Sequence, residues 1–156
     1  MIATGKQLRH SHNLSGGVCT AYQAGRDLPV AIRQMDLDKE SKWDLIINEI
    51  LTMKASQHPN VVNYVDSFLY KNNLWVVVEY MQGASLIGVA AANLMTEGQI
   101  AAISREVCQG ADHLHRHGIV HREIRSEHIL LSMNGDIKLS APLHSHPWLC
   151  STGVLT

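Results

Sequence analysis

The side chains in this sequence best equipped for chemistry are ionisable, and two groups of them stand out. The chain holds ten histidines, and His113, His115, His117 and His121 fall close together. Neutral imidazole is a ligand for zinc, copper or nickel. On a helix, His113 and His117 stand at i and i+4 and share a face, whereas positions two apart do not. No H-E-x-x-H and no C-x-x-C accompanies them, so the metal reading lacks a recognised ligand spacing. His144 and His146 read as solvated side chains. The second group is an acid with a base. Glu49 lies among Ile46, Ile50 and Met53 on an apolar stripe, where an unpaired carboxylate is costly. Arg33 is the partner best placed for it; the alternative is a charge that reaches water at the edge of the stripe.

Elements of both kinds are needed to hold these groups. "KESKWDLIINEILTMK" (39–54) predicts a helix, because Trp43, Ile46, Ile47, Ile50 and Met53 recur at three- and four-residue steps. "GVCTAYQA" (17–24) and "LPVAIRQ" (28–34) predict strands joined by a short connection, "GRD". "NVVNYVDSFL" and "NLWVVVEY" predict two more, with the polar turn "YKNN" between them. After a Gly- and Ala-rich stretch, Thr96 and Gln99 form a T-x-x-Q capping box. The helix it opens carries Ile100, Ile103, Val107, Ala111 and Leu114 as one apolar stripe. "HILLS" and "DIKLS" predict short strands around the turn "MNG". Residues 1–14 are polar and weakly patterned, and residues 141–156 show no usable period. The order of strands, helix, strands, long helix, loop and small hairpin makes the class α+β.

Bulk properties narrow the setting more than the chemistry. A chain of 156 residues is enough for one core. At 46% hydrophobic and 17% charged it is globular rather than disordered. A formal net charge of −1, with no basic run, argues against a dedicated nucleic-acid binder. No apolar stretch approaches the roughly 18 residues a membrane span needs, since "LWVVV" is cut off by Glu79. "MIATGKQLRH" has no apolar signal region. Cys19, Cys108 and Cys150 are odd in number and widely spaced, which fits reduced thiols and a cytoplasmic or nuclear setting.

Six strings then occur in order: "VAIRQMDL", "LIINEILTM", "HPNVVNYVDSFL", "LWVVVEYM", "EGQIAA" and "HREIRSEHILL". Together they resemble the PAK family of Ser/Thr protein kinases, over about residues 15–140. The resemblance implies an α+β protein-kinase-like fold, with an antiparallel-sheet small lobe, its C-helix and a partial helical large lobe. It divides the chain into a poorly patterned segment (1–14), small lobe and hinge (15–81), partial large lobe (82–140) and a tail that departs from the family (141–156).

The same resemblance assigns site residues. "HREIRSEH" (121–128) keeps the spacing of the catalytic loop His-Arg-Asp-x-x-x-x-Asn, with Glu123 at the base position and His128 at a magnesium position. Arg125 stands where the family has a lysine near the transferred phosphate. In "SHNLSGGV", Ser11 and Asn13 replace the first two glycines of the phosphate-covering loop, leaving Gly16 and Val18. Arg33 replaces the third-strand lysine and is expected to pair with Glu49 through its planar fork. Val18 and Ala31 are expected above the adenine and Leu130 below it, with Val78 as gatekeeper and Glu79, Tyr80 and Met81 as hinge. Ala141-Pro142-Leu143 takes the place of Asp-Phe-Gly, so Ala141 offers no magnesium ligand.

Taken together, these positions imply a catalytically impaired pseudokinase, a binding or regulatory module with at most weak ATP binding and no magnesium site. The alternative is an ATP-binding Ser/Thr kinase, or a fragment of one, that phosphorylates protein hydroxyls. The sequence stops before an activation segment, an Ala-Pro-Glu motif and the lower large-lobe helices. The stripe from Ile100 to Leu114 is therefore expected to be exposed and to serve protein partners. Neither a nucleic-acid partner nor a membrane span is expected.

Overall fold

A computed structural model of the chain describes residues 8–14, 18–23, 29–38 and 43–140. The chain divides into two compact units, Met1–Trp43 with Tyr64–Tyr80, and Asp44–Asn63 with Met81–Thr156.

The first unit is an antiparallel sheet of five strands: β1 (Leu8–Leu14), β2 (Val18–Gln23), β3 (Pro29–Asp36), β4 (Tyr64–Tyr70) and β5 (Asn73–Glu79), in the order β1-β2-β3-β5-β4. β3 and β5 are rich in Val and Ile, which suit a pleated surface. The period-2 alternation of β3 buries Val30 and Ile32 on one face, and Met35 is buried on the other. Pairing of Cys19 with Ile32, Ala21 with Val30, and Ile32 with Val77 gathers one apolar face, onto which Phe68 and Trp75 pack. The "YKNN" turn is a two-residue hairpin with Lys71 at φ 45° and Asn72 at φ 60°. Two successive positive φ values give the tight turn whose twist matches the flanking strands.

β1 falls where the sequence shows little patterning. It is an edge strand, paired only with β2, with a register shift between Arg9 and His12. Main-chain bonding to a neighbour suffices for such a strand, so no alternation of apolar residues is required to announce it.

The second unit holds α1 (Trp43–Ala55) from its second residue onward, α2 (Leu86–Ala92), α3 (Glu97–Arg116), a 3-10 turn (Ser126–His128) and the hairpin β6 (Ile129–Leu131) with β7 (Ile137–Leu139). On α1, Met53 is buried while Ile47 stays exposed. The capping box of α3 is present in both directions: Thr96 Oγ1 accepts the Gln99 N–H, and the Gln99 side chain accepts the Thr96 N–H at 2.9 Å. Its far end closes with the Gly118 N–H donating to the His115 carbonyl and the Ile119 N–H to that of Leu114. With Gly118 at φ 73° this is a Schellman stop, which needs a residue tolerant of the left-handed region.

The expectation of an exposed α3 stripe is corrected here. Ile103 and Leu114 are buried, and Val107 and Ala111 pack on the cluster formed by Ile103, Ile129, Ile137 and Leu139. The β6–β7 hairpin supplies the apolar cover that the sequence reading assigned to later helices. Of that stripe, Ile100 remains exposed, as do Ile87 on α2 and Leu94 before α3. Among the described residues, no helix is long and apolar enough to cross a membrane.

Candidate active site

The loop at 121–128 is held by its own main chain. His121, 2% exposed, is the anchor. Its Nε2–H donates to the Ser140 carbonyl at 2.9 Å, and its Nδ1 faces the Glu123 N–H at 3.4 Å. The neutral tautomer with its proton on Nε2 satisfies both contacts. Burial is the main force that lowers the His121 pKa, with the charge of His128 acting in the same direction; the bond to Ser140 and the Glu123 carboxylate oppose them.

Directly after this anchor the chain turns sharply. The Glu123 N–H also donates to the His121 carbonyl at 2.8 Å, across Arg122 at φ 63°. A bond spanning two residues around a positive φ is a γ-turn of the strained hand. Such strain persists only where the surroundings fix it, and His128 supplies part of that fixing. Its Nδ1–H donates to the Glu123 carbonyl at 2.8 Å and its backbone N–H to the Arg125 carbonyl at 2.9 Å. The His128 carbonyl in turn accepts from the Ser140 N–H at 2.8 Å and the Ser140 hydroxyl at 3.2 Å. The loop therefore displays the Glu123 side chain with Arg125 Nη2 3.3 Å from its Oε1. The Arg125 side chain is exposed and that of Glu123 half-buried, which makes this pair a weak one.

The segment that leads into the second unit is fixed against the same hairpin. The Gly83 N–H donates to the Leu131 carbonyl at 2.8 Å, and the Leu131 N–H donates to the Ala84 carbonyl at 2.9 Å. Ser85 bridges to Leu130. Within this unit the structure thus brings Leu130 beside the chain that follows buried Met81. In the sheet of the first unit, Ala31 pairs with Thr20 and Val78, and Arg33 with Val18 and Val76. Two-residue spacing along β3 puts Ala31 and half-buried Arg33 on one face, opposite to that of Val30 and Ile32. Glu79 pairs with Val30 at the end of β5.

Residues 14–141 match the family described as protein kinase domain. The chain belongs to the protein kinase family. Over 126 residues this kinase chain is 62% identical to Serine/threonine-protein kinase SMU1 of Mycosarcoma maydis, covering 81% of this chain and 17% of that protein. It is 56% identical to Serine/threonine-protein kinase STE20 of Saccharomyces cerevisiae, covering 81% and 13%. Serine/threonine-protein kinase pakA of Talaromyces marneffei is 57% identical, covering 81% and 20%. The kinase chain therefore spans a fifth or less of the length of these curated relatives. The expected resemblance to PAK-type Ser/Thr kinases and the α+β kinase fold both hold.

Kinases of this family work with ATP and magnesium. Of the positions the resemblance assigned, Glu123, Arg125 and His128 come together in the kinase loop, and Met81 and Leu130 lie in the same unit. Ala31, Arg33, Val78 and Glu79 belong to the sheet of the other unit. Gly16, the side chains of Val18 and Glu49, and Ala141 lie outside the described residues; the expected Arg33–Glu49 pair falls there with them.

Ser140 escaped the sequence reading. Its carbonyl, N–H and hydroxyl tie His121 and His128 to the end of β7. Two of these three contacts use the main chain, so residue type gave little signal. Asn60 was equally silent, although its amide bonds both Glu106 and the Ile137 carbonyl.

Proposed function

We propose that this protein-kinase domain of PAK and STE20 type is catalytically impaired and acts as a binding or regulatory module. The observation that carries this reading is the state of the metal position. His128 gives its Nδ1–H to the Glu123 carbonyl at 2.8 Å and keeps one imidazole nitrogen to offer. Magnesium takes oxygen ligands in octahedral geometry, and imidazole suits zinc, copper or nickel instead. Ala141, at the other magnesium position, has no ligand atom. These residues do not fit a magnesium site.

The adenine side is better supplied. Ala31 and Val78 are cross-strand neighbours, and Leu130 is half-buried on β6. They support weak ATP binding without magnesium, with Val18, Glu79, Met81 and Gly16 completing the nucleotide positions. Arg33 keeps a positive charge but not the compact ammonium of lysine, so phosphate positioning suffers. Partners are proteins, met through the part of the large-lobe helices that stays open around Ile87, Leu94 and Ile100. The setting is cytoplasmic or nuclear, in keeping with the few, widely spaced cysteines.

The second reading, an ATP-binding Ser/Thr kinase, is favoured by one feature: the Glu123 side chain, 32% exposed, stands at the base position of an intact loop spacing. Thermal shift with ATP separates the two. The impaired module shows a small shift of the same size with magnesium and with EDTA. A shift that requires magnesium supports the kinase reading and overturns this one.

A further inference from the structure

Away from the kinase loop, three imidazoles meet on one side of α3. The rings of His58 and His113 stack with centroids 4.4 Å apart and planes 22° from parallel. His117, one turn further along the helix, places its ring 4.4 Å from that of His113 at a tilt of 43°. His113 thus has two rings of its own kind within 4.4 Å.

Each ring is committed to a hydrogen bond. His58 Nδ1 accepts the Asn60 N–H at 3.1 Å, so this nitrogen is unprotonated in the observed arrangement. His117 Nδ1–H donates to the His113 carbonyl at 2.8 Å. His113 Nε2 lies 3.1 Å from the hydroxyl of Ser56, a residue only 2% exposed. The stack therefore joins α3 to the segment that follows α1. That segment continues into main-chain bonds with β7, from the Leu139 N–H to the Asn60 carbonyl at 2.9 Å and from the Val62 N–H to the Leu139 carbonyl at 2.8 Å.

We infer that His58, His113 and His117 form an acid-sensitive clasp, which holds the Ser56–Val62 segment on α3 while the imidazoles are neutral and releases it as they gain protons. Protonation acts on the clasp in two ways. A proton on His58 Nδ1 sets two N–H donors against each other, since the Asn60 N–H already occupies that direction. Protons on neighbouring rings set like charges whose ring centroids are 4.4 Å apart.

The groups that act on His113 come from both sides of the contact. Burial lowers its pKa most, and His58 from the segment and His117 from its own helix lower it further. Asp112 works against them, but Arg116 holds that carboxylate at 2.9 Å. The folded chain thus binds fewer protons here than the unfolded one. The stabilisation is whole above the ordinary value of 6.5 and is lost as pH falls through the lower folded-state value.

The test uses the whole chain between about pH 7.5 and about pH 5.5, the range in which histidine changes charge. NMR titration of the ring signals is expected to place His113 below 6.5. Hydrogen exchange, corrected for intrinsic rate, is expected to show a severalfold loss of protection at Val62 and Leu139 in acid, with the β3 and β5 amides unchanged. His113→Phe keeps the stack and removes its titration, so it flattens that loss; His117→Gln, at an exposed position, reduces it. If His113→Phe does not fold, the wild-type titration and His117→Gln decide the matter. His113 titrating at or above 6.5 overturns the clasp. So does an acid response unchanged in the variants. Stabilisation by zinc chloride near pH 7 that His117→Gln abolishes overturns it in favour of a metal site.

Discussion

Replacing Asn60 with alanine removes a side chain that is 5% exposed and has both amide hydrogens in use. One bond runs to Glu106 Oε2 at 2.7 Å and the other to the Ile137 carbonyl at 3.0 Å. A hydrogen bond to a charged acceptor contributes about 1.5–3 kcal/mol and a neutral one about 1 kcal/mol. Glu106 is only half-buried and regains water when its partner is lost, which favours the lower part of the first range. The expected cost is therefore about 2–3 kcal/mol. For a chain of this size that corresponds to a fall in Tm of about 4–12 °C. Urea denaturation followed by tryptophan fluorescence reads it directly. Glu106→Gln completes a double-mutant cycle, and a coupling of about 1 kcal/mol or more with Asn60→Ala is expected. A loss below about 0.5 kcal/mol, the level of an ordinary surface substitution, refutes the reasoning.

Two further substitutions test backbone fit. A Cβ at Gly110 would stand 2.5 Å from the Asn60 carbonyl oxygen, a main-chain atom; Gly110→Ala is expected to destabilise despite the gain of about 1 kcal/mol in helix propensity, and a higher urea midpoint contradicts this. Ala84 sits at φ 76°, so Ala84→Gly is expected to raise the urea midpoint by the equivalent of about 0.5–1 kcal/mol, and a lower midpoint contradicts it.

Where local chemistry determines an element, the sequence announced it. The Val- and Ile-rich strands β3 and β5, the "YKNN" hairpin turn and the Thr96–Gln99 box lie where their residue types require. β1 and α2 did not stand out. β1 depends on main-chain pairing with β2. α2 is a seven-residue helix that contains Gly88 and lacks a side-chain cap. The burial of the α3 stripe is not legible in the sequence because its cover, Ile129, Ile137 and Leu139, comes from two three-residue strands. Such short strands display too little pattern to reveal what they bury.

The site followed the same rule. The spacing of "HREIRSEH" brought Glu123, Arg125 and His128 into view, but not the use of the His128 ring to hold the loop's own carbonyl. The i and i+4 spacing of His113 and His117 was visible. Their third ring, His58, enters from a distant segment, and only the fold brings it to α3.

We propose that this kinase loop keeps the catalytic-loop spacing without its phosphoryl-transfer chemistry. Transfer from radiolabelled ATP with magnesium, to the chain itself and to a generic Ser/Thr protein substrate, tests it most directly when wild type and Glu123→Ala are assayed together. The account predicts that the two give the same background incorporation. Incorporation by the wild type that Glu123→Ala abolishes contradicts it.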